Sequence, residues 1–263
     1  MESSVEESKP HHYKDTDQIL NFRDAVIYGS DLKLLQRRTK WLNDSCIHFY
    51  FTWLQSKQKE EASPTETLFL DPSVLSFFVH QCIDEEDIED FANSACFSRH
   101  GRIFFPINDN MEMSSNWQIP NGGNHWSLLV AIVNNDNVTF WHFDSIKNSG
   151  NQRAAQDIVQ KLMAHSRLFF RGKTTAVTPV PYRYTLIPAK TPIQQNGYDC
   201  GVHMLAAAKL FSSVSVAEKD QHLEIYEKLL QKHVQNNPDF CQILRFEIAY
   251  EILRLAKAKK NTK

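Results

Sequence analysis

At 263 residues the chain can bury a full core as one large domain or two small ones, with no need for disulfide or metal staples. Its 42% hydrophobic and 23% charged residues exclude the disordered and membrane classes, and no apolar run approaches the length of a membrane span. A formal net charge of −2 excludes a general affinity for nucleic-acid backbones, which needs a concentrated basic face.

In chain order, residues 1–20 read as a flexible, charged tail that docks late through Ile19, Leu20 and Phe22. The tail has no apolar stretch of secretory type. Val26 and Tyr28 beside Gly29 suggest a short edge strand. Asn43 or Asp44 caps a helix carrying Ile47, Tyr50, Phe51 and Leu54 at helical spacing. Ser56 to Thr67 is charged, contains Pro64 and reads as a loop. Asp71-Pro72 opens a helix to about Cys82, and Asp84 caps a shorter one holding Ile88 and Phe91. Arg102 to Asn108 reads as a buried strand, followed by a turn-rich loop over 109–124. His125 to Val133 is apolar on both faces, as a central strand is, and Val138 to Asp144 is its return strand. An amphipathic helix is expected over 152–165 and a short strand over 184–187. A further helix starts at Cys200 and runs to Leu210. Ser215-Val216-Ala217-Glu218 is a capping box for a helix to about Val234, and Asn237-Pro238 opens the last, to about Ala258. Helices, then strands, then helices read as α+β.

The five cysteines are scattered, with no CxxC and no histidine at zinc-finger spacing, so neither a disulfide framework nor a metal site is expected. A reducing compartment fits, with the cytoplasm expected and a nuclear share left open. The basic residues from Arg254 to Lys263 read as a solvated terminus.

Two local patterns carry chemistry. Asn196-Gly197 turns the chain into Cys200 at the start of an apolar, helix-prone segment. Free backbone N–H groups and the positive helix end favour thiolate there, so the pKa should fall below the roughly 8.5 of a free cysteine. The second pattern is the hairpin. With a turn over 134–137, Val133 opposes Val138, Ser127 faces Asp144, and His125 lies one pleat further along on the same face; a two-residue turn at Asn134-Asn135 would instead put His125 directly opposite Asp144, and any even-length turn keeps the two on one face. A carboxylate beside an imidazole can orient it and stabilise its protonated form, while the other ring nitrogen accepts a proton from a thiol. The other reading of each pattern is ordinary: a buried, inert cysteine and a cross-strand His–Asp pair. Of the remaining histidines only His142, two residues from Asp144, is expected to stand behind the pair.

His125-Trp126-Ser127-Leu128, Phe143-Asp144-Ser145 and Gln194-x5-Cys200-Gly201, with Trp41-Leu42-Asn43-Asp44 upstream, resemble the Ulp/sentrin-specific cysteine protease family over roughly residues 25–212. Gly122-Gly123, Pro106-Ile107-Asn108-Asp109-Asn110 and Gln195-Asn196-x-Tyr198-Asp199 look most like its deneddylase branch. The resemblance implies a papain-like fold of the Ulp type, with a mixed sheet flanked by helices and one catalytic domain over 21–258. The helices from 215 onward would pack on that domain, and 259–263 would be a basic tail. It implies a thiol isopeptidase that cleaves after the Gly-Gly end of a ubiquitin-like modifier without a cofactor, acting as a monomer.

Carried over by position, Cys200 is the nucleophile, His125 the general base and Asp144 its orienter, while Gln194 gives an N–H to the oxyanion hole beside the Cys200 amide. Trp41 and Trp126 resemble the aromatics that wall a channel over the modifier's tail, and Asp44 a position that contacts that tail. Gly197 departs from the branch, which more often has serine there. The loop over 109–124 looks longer than the family's and is a candidate lid. A SUMO-specific protease is the alternative modifier reading. An acetyltransferase of related fold is the alternative chemistry, and a binding module without turnover is the non-enzymatic one.

Overall fold

A computed structural model describes residues 13–60, 67–95, 97–112, 123–133, 137–169, 183–214 and 222–261. The first hairpin pairs β1 (Gln18–Phe22) with β2 (Ala25–Tyr28). Arg23 and Asp24 both take positive φ (50° and 73°), the geometry of a tight two-residue turn whose twist matches the strands. Leu20 is only 4% exposed, so the end of the segment expected as tail is a strand that joins the core through this residue, one of the three expected to dock. A short α1 (Gly29–Gln36), not foreseen in the sequence, follows without a break.

Asn43 caps α2 (Asp44–Glu60), its Oδ1 accepting from the Cys46 amide at 3.2 Å. Cys46, Ile47, Tyr50, Phe51 and Leu54 form its buried stripe. The helix runs past Ser56, where a loop was expected. Lys57 to Glu60 are strong helix formers, and the Ser56 hydroxyl folds back onto the Trp53 carbonyl at 2.8 Å. Thr67 is likewise not loop: it begins β3 (Thr67–Phe69), which pairs parallel to β4 (Arg102–Asn108). Between them lie α3 (Pro72–His80), capped by Asp71 through the Ser73 amide at 2.7 Å, and α4 (Glu85–Ala95), where Asp84 accepts from the Asp87 amide at 2.9 Å.

Next come β5 (Trp126–Val133), β6 (Asn137–Phe143), α5 (Asn151–Ala164), a single turn α6 (Ser166–Phe169) and β7 (Arg183–Pro188). The strand order is β3-β4-β5-β6-β7. The central β5 is antiparallel to both neighbours and the two outer pairs are parallel, so the sheet is mixed, as the α+β reading expected. The chain ends in α7 (Cys200–Ser213), α8 (Leu223–Asn236) and α9 (Phe240–Asn261). The capping box at 215–218 and most of the loop over 109–124 lie outside the described residues. The helix assigned to that box starts instead at Leu223, after an extended His222.

The pleat sorts the central hairpin into two faces. Phe143 packs at a tilt against Phe211 of α7 and Trp141 against Tyr226 of α8, with centroids 4.5 and 5.1 Å apart. The other face meets α5, where Asn151 bonds to Ser127 at 2.9 Å. The buried Arg102 guanidinium donates to the Phe211, Ser212 and Val214 carbonyls at 2.6, 3.4 and 3.1 Å. It thereby closes the carboxyl end of α7, where a cation is favoured. No helix among the described residues is long and apolar enough to cross a membrane.

Candidate active site

His125 stands just before β5, and its backbone is fixed from two sides. The Asp109 carboxylate accepts from the Asn124 and His125 amides at 2.6 and 3.3 Å. The Asn151 amide group donates to the carbonyls of His125 (3.2 Å) and Ile107 (3.1 Å) as well as to the Ser127 hydroxyl. Gly123 has φ +130°, and a Cβ there would stand 1.7 Å from the Asn108 side chain. Only glycine lets the loop return this close to β4.

Of the two registers open in the sequence the hairpin takes the first, with Val133 opposite Val138 and Leu128 opposite Phe143. Extended past the strand ends, it brings His125 and Asp144 together: Nε2–H of His125 donates to Oδ1 of Asp144 at 2.6 Å. Asp144 also accepts from the Ile146 amide at 2.8 Å and from the Ser149 hydroxyl, and its own amide donates to Thr191 Oγ1 at 3.2 Å. Behind the pair, His142 Nε2 meets Ser127 Oγ at 2.8 Å.

The electrostatics follow from this packing. Burial pushes the Asp144 carboxyl up, but the hydrogen bond and charge of His125, then Ser149 and the Ile146 amide, outweigh it and hold the group below its ordinary value. Burial pulls His125 down. Hydrogen bonding to Asp144, the nearby Cys200 thiol and the charges of both overcome it and carry the imidazole up to about 9. His142 is buried with too little compensation from Asp144 and falls to about 4, so it is neutral at pH 7.

Cys200 is the first residue of α7 and is buried. Since Asp144 engages Nε2, the ring nitrogen left for the sulfur is Nδ1, which is buried and makes no hydrogen bond, with the Cys200 thiol near enough to act on the ring electrostatically. The next residue, Gly201, lets the helix end approach closely: a Cβ there would meet Leu42 Cβ at 3.3 Å and the Trp126 ring at 3.4 Å. Asp199 is the N-cap of α7, yet its side chain makes no capping bond, so no side chain covers the helix-end amides. Its carboxylate goes instead to Arg245 of α9 and to Asn196.

Gln194 is buried beside this turn. Its Oε1 accepts from the Ser145 hydroxyl at 2.7 Å and its Nε2 donates to the Asn196 carbonyl at 2.6 Å, which leaves one amide hydrogen. Trp41 is 46% exposed and donates to the Gly197 carbonyl at 2.5 Å, so it stands over the segment leading to Cys200. Trp126 is 5% exposed and donates to the Leu42 carbonyl at 3.0 Å. Of the two indoles, Trp41 presents the open surface and Trp126 supports the helix end from beneath. Asp44 is exposed in the first turn of α2; crowding by its surroundings and then the Asp71 charge raise its carboxyl above its ordinary value.

The geometry thus brings His125, Asp144, Cys200, Gln194, Trp41 and Trp126 to one end of the sheet. It adds Ser149, Thr191, Asn151, Asp109 and Arg245, none of which stood out in the sequence. Asp109 lay inside a quoted motif and Ser149 follows Asp144 closely, but only the fold shows their contacts. Arg245 did leave a signal, being a cation on the same helical stripe as Leu244, Ile248, Ala249 and Ile252. Among the described residues no group of three or more His, Cys, Asp or Glu could hold a metal ion.

The model of the Ulp1 protease family's C-terminal catalytic domain matches residues 40–247. The chain is 31% identical over 257 residues to the probable sentrin-specific protease 8 of Dictyostelium discoideum, covering 91% of this chain and 98% of that protein. It is 31% identical over 245 residues to NEDD8-specific protease 1 of Arabidopsis thaliana, covering 92% and 95%. The solved structure of a de-sumoylating protease superposes with a TM-score of 0.64 at 17% identity over 90% of each chain. The X-ray structure of the C-terminal Ulp1 protease domain in complex with Smt3, the yeast orthologue of SUMO, gives 0.57 at 21% identity over 92% and 90%. At those identities the structural likeness shows the fold.

Proposed function

The chain belongs to the Ulp1 protease family, and on that premise we propose that it is a thiol isopeptidase for a neddylation-type modifier, with Cys200 as nucleophile, His125 as general base and Asp144 as its orienter. The observation that carries this reading is His125 bonded to Asp144 through Nε2, with its buried Nδ1 unengaged and the Cys200 thiol near enough to act on the ring. The preference for the neddylation modifier rests on the Arabidopsis relative, a NEDD8-specific protease, and on the branch motifs around His125 and Cys200.

The chemistry follows from the atoms. Nδ1 of His125 takes the thiol proton, and the resulting imidazolium is stabilised by Asp144. The thiolate attacks the carbonyl carbon of the modifier's terminal glycine, and the carbonyl electrons move onto oxygen. That oxyanion is received by the Cys200 amide and the remaining N–H of Gln194; a preorganised donor of this kind contributes on the order of 3 kcal/mol. Collapse breaks the C–N bond, and the imidazolium proton leaves with the amine. Water then attacks the thioester as His125 removes its proton, which releases the modifier's carboxylate and restores the thiolate. Trp41 roofs the approach, where a flat indole admits glycine and excludes side chains.

Parallel kcat/KM measurements on fluorogenic neddylation-modifier and SUMO substrates test the assignment. We expect at least about a tenfold preference for the neddylation modifier. An inverted preference transfers the enzyme to SUMO, and no cleavage of either substrate contradicts the reading.

A further inference from the structure

Resting on Cys200 as the nucleophile, we infer that Arg245 is a positioning residue: it draws the Asp199 carboxylate away from the amino end of α7, keeping that end and the Gln194 amide open to the reacting sulfur and the oxyanion.

Arg245 projects from α9, more than forty residues beyond Cys200 in sequence, and is 0% exposed. Its Nη2 donates to Asp199 Oδ1 at 2.8 Å, to the Lys40 carbonyl at 2.7 Å and to the Tyr198 carbonyl at 3.3 Å. Nε adds a second bond to Asp199 Oδ1 at 3.3 Å, and Nη1 reaches the Leu34 carbonyl at 3.1 Å. One planar fork therefore ties α1, the residue before Trp41 and the two residues before Cys200. The chain of contacts continues inward. The second Asp199 oxygen accepts from Asn196 Nδ2 at 2.9 Å, the Asn196 side-chain oxygen accepts from the Tyr198 and Asp199 amides at 3.0 Å, and the Asn196 carbonyl accepts from Gln194 Nε2 at 2.6 Å.

An N-cap aspartate ordinarily turns its side chain onto the amides of the second or third helical residue, here Gly201 or Val202. Asp199 does not. Were it to do so, a negative charge would sit on the turn that carries the sulfur, disfavouring thiolate and occupying the helix-end donors. The guanidinium, fixed in its plane and always charged, prevents that swing; a lysine has neither the fork nor the reach to hold all four acceptors. The titratable and charged groups around Asp199 are Arg245 and Cys241 of α9, with Arg38 acting on Cys241, and His203 on α7. His125 faces Cys200 from the sheet.

The test is the pH dependence of Cys200 alkylation by iodoacetamide, beside kcat and KM on the modifier substrate, in Arg245→Met, Arg245→Lys and each combined with Asp199→Asn. In Arg245→Met we expect the alkylation midpoint to rise by about one pH unit and kcat to fall about tenfold or more, with KM within about threefold. Adding Asp199→Asn removes the migrating charge and returns the midpoint to the wild-type value. If Arg245→Met does not melt cooperatively, Arg245→Lys carries the test with the same directions at smaller size, about threefold in kcat. A wild-type midpoint in a folded Arg245 variant, or a midpoint that stays high after Asp199→Asn, overturns the inference. A wild-type Cys200 that resists alkylation defeats the functional assignment itself, so the two failures are distinguishable.

Discussion

Asp144→Asn isolates the charge that holds the imidazole. The side chains of His125 and Asp144 are 7% and 14% exposed, and their contact is 2.6 Å. The wild-type imidazole is carried from 6.5 to about 9 against the pull of burial. That difference corresponds to about 3 kcal/mol of preference for the protonated, ion-paired form. Asparagine keeps the shape and can still accept Nε2–H, but it supplies no charge while burial persists. The imidazole of the variant should therefore titrate well below 9, raised only by what Cys200 contributes against the pull of burial. The sign of the stability effect follows. A raised histidine pKa contributes stability that is complete below the unfolded-state value near 6.5 and fades as pH rises through about 9. The lowered Asp144 pKa describes the same contact from the other side; its share is lost only as pH falls through the folded-state value, below the ordinary carboxylate range. The variant should thus be destabilised most near pH 6, by about 2–3 kcal/mol, and by little above pH 9.5. Urea unfolding at both pH values reads the first quantity, and 15N titration of the imidazole reads the pKa directly. Turnover should fall on the order of 10³–10⁴-fold, the range seen when a triad loses its orienting carboxylate. A destabilisation independent of pH, or an unchanged His125 titration, would refute the reasoning.

Three further outcomes are expected. Gln194→Ala should lower kcat about 10²-fold or more with KM little changed, because the donor acts on the oxyanion; a loss confined to KM would assign Gln194 to binding. Gly201→Ala gains about 1 kcal/mol in helix propensity but presses its Cβ on Leu42 and the buried Trp126 ring, at a cost of about 1–3 kcal/mol. Neither neighbour is free to move, so a net loss near 1 kcal/mol in chemical denaturation, with reduced probe labelling of Cys200, is expected. Asn151→Ala strips the hydrogen-bond donor from the Ile107 and His125 carbonyls and the Ser127 hydroxyl. At ~1–3 kcal/mol for a buried group left unsatisfied, Tm should fall by about 2–10 °C, with slower turnover from a displaced His125; an unmoved Tm would deny the role of Asn151.

Legibility in the sequence tracked how local each signal was. The hairpin register followed from the apolar runs on either side of residues 134–137, and that register alone put an imidazole near a carboxylate. The caps at Asn43, Asp71 and Asp84 were equally readable, because capping is decided within three residues. The three-residue β3 was hidden because it borrows its order from β4, and the charged end of α2 was hidden by Pro64 further on. Least legible were the long-range polar ties. Arg245 reaches the Cys200 turn and Arg102 closes the far end of the same helix, and both bonds depend on which elements meet in space. A charged residue on an otherwise apolar helical stripe is the trace that such ties leave.

The central claim is that Cys200 is the nucleophile, activated by an imidazole from the sheet. It is tested most directly with a ubiquitin-like modifier carrying an electrophile at its C-terminal carbon, followed by mass spectrometry of the adduct. A single thioether at Cys200, absent from Cys200→Ala and strongly slowed in His125→Ala, is the expected result. Labelling that persists in Cys200→Ala, or that maps to Cys46, Cys82, Cys96 or Cys241, would contradict it.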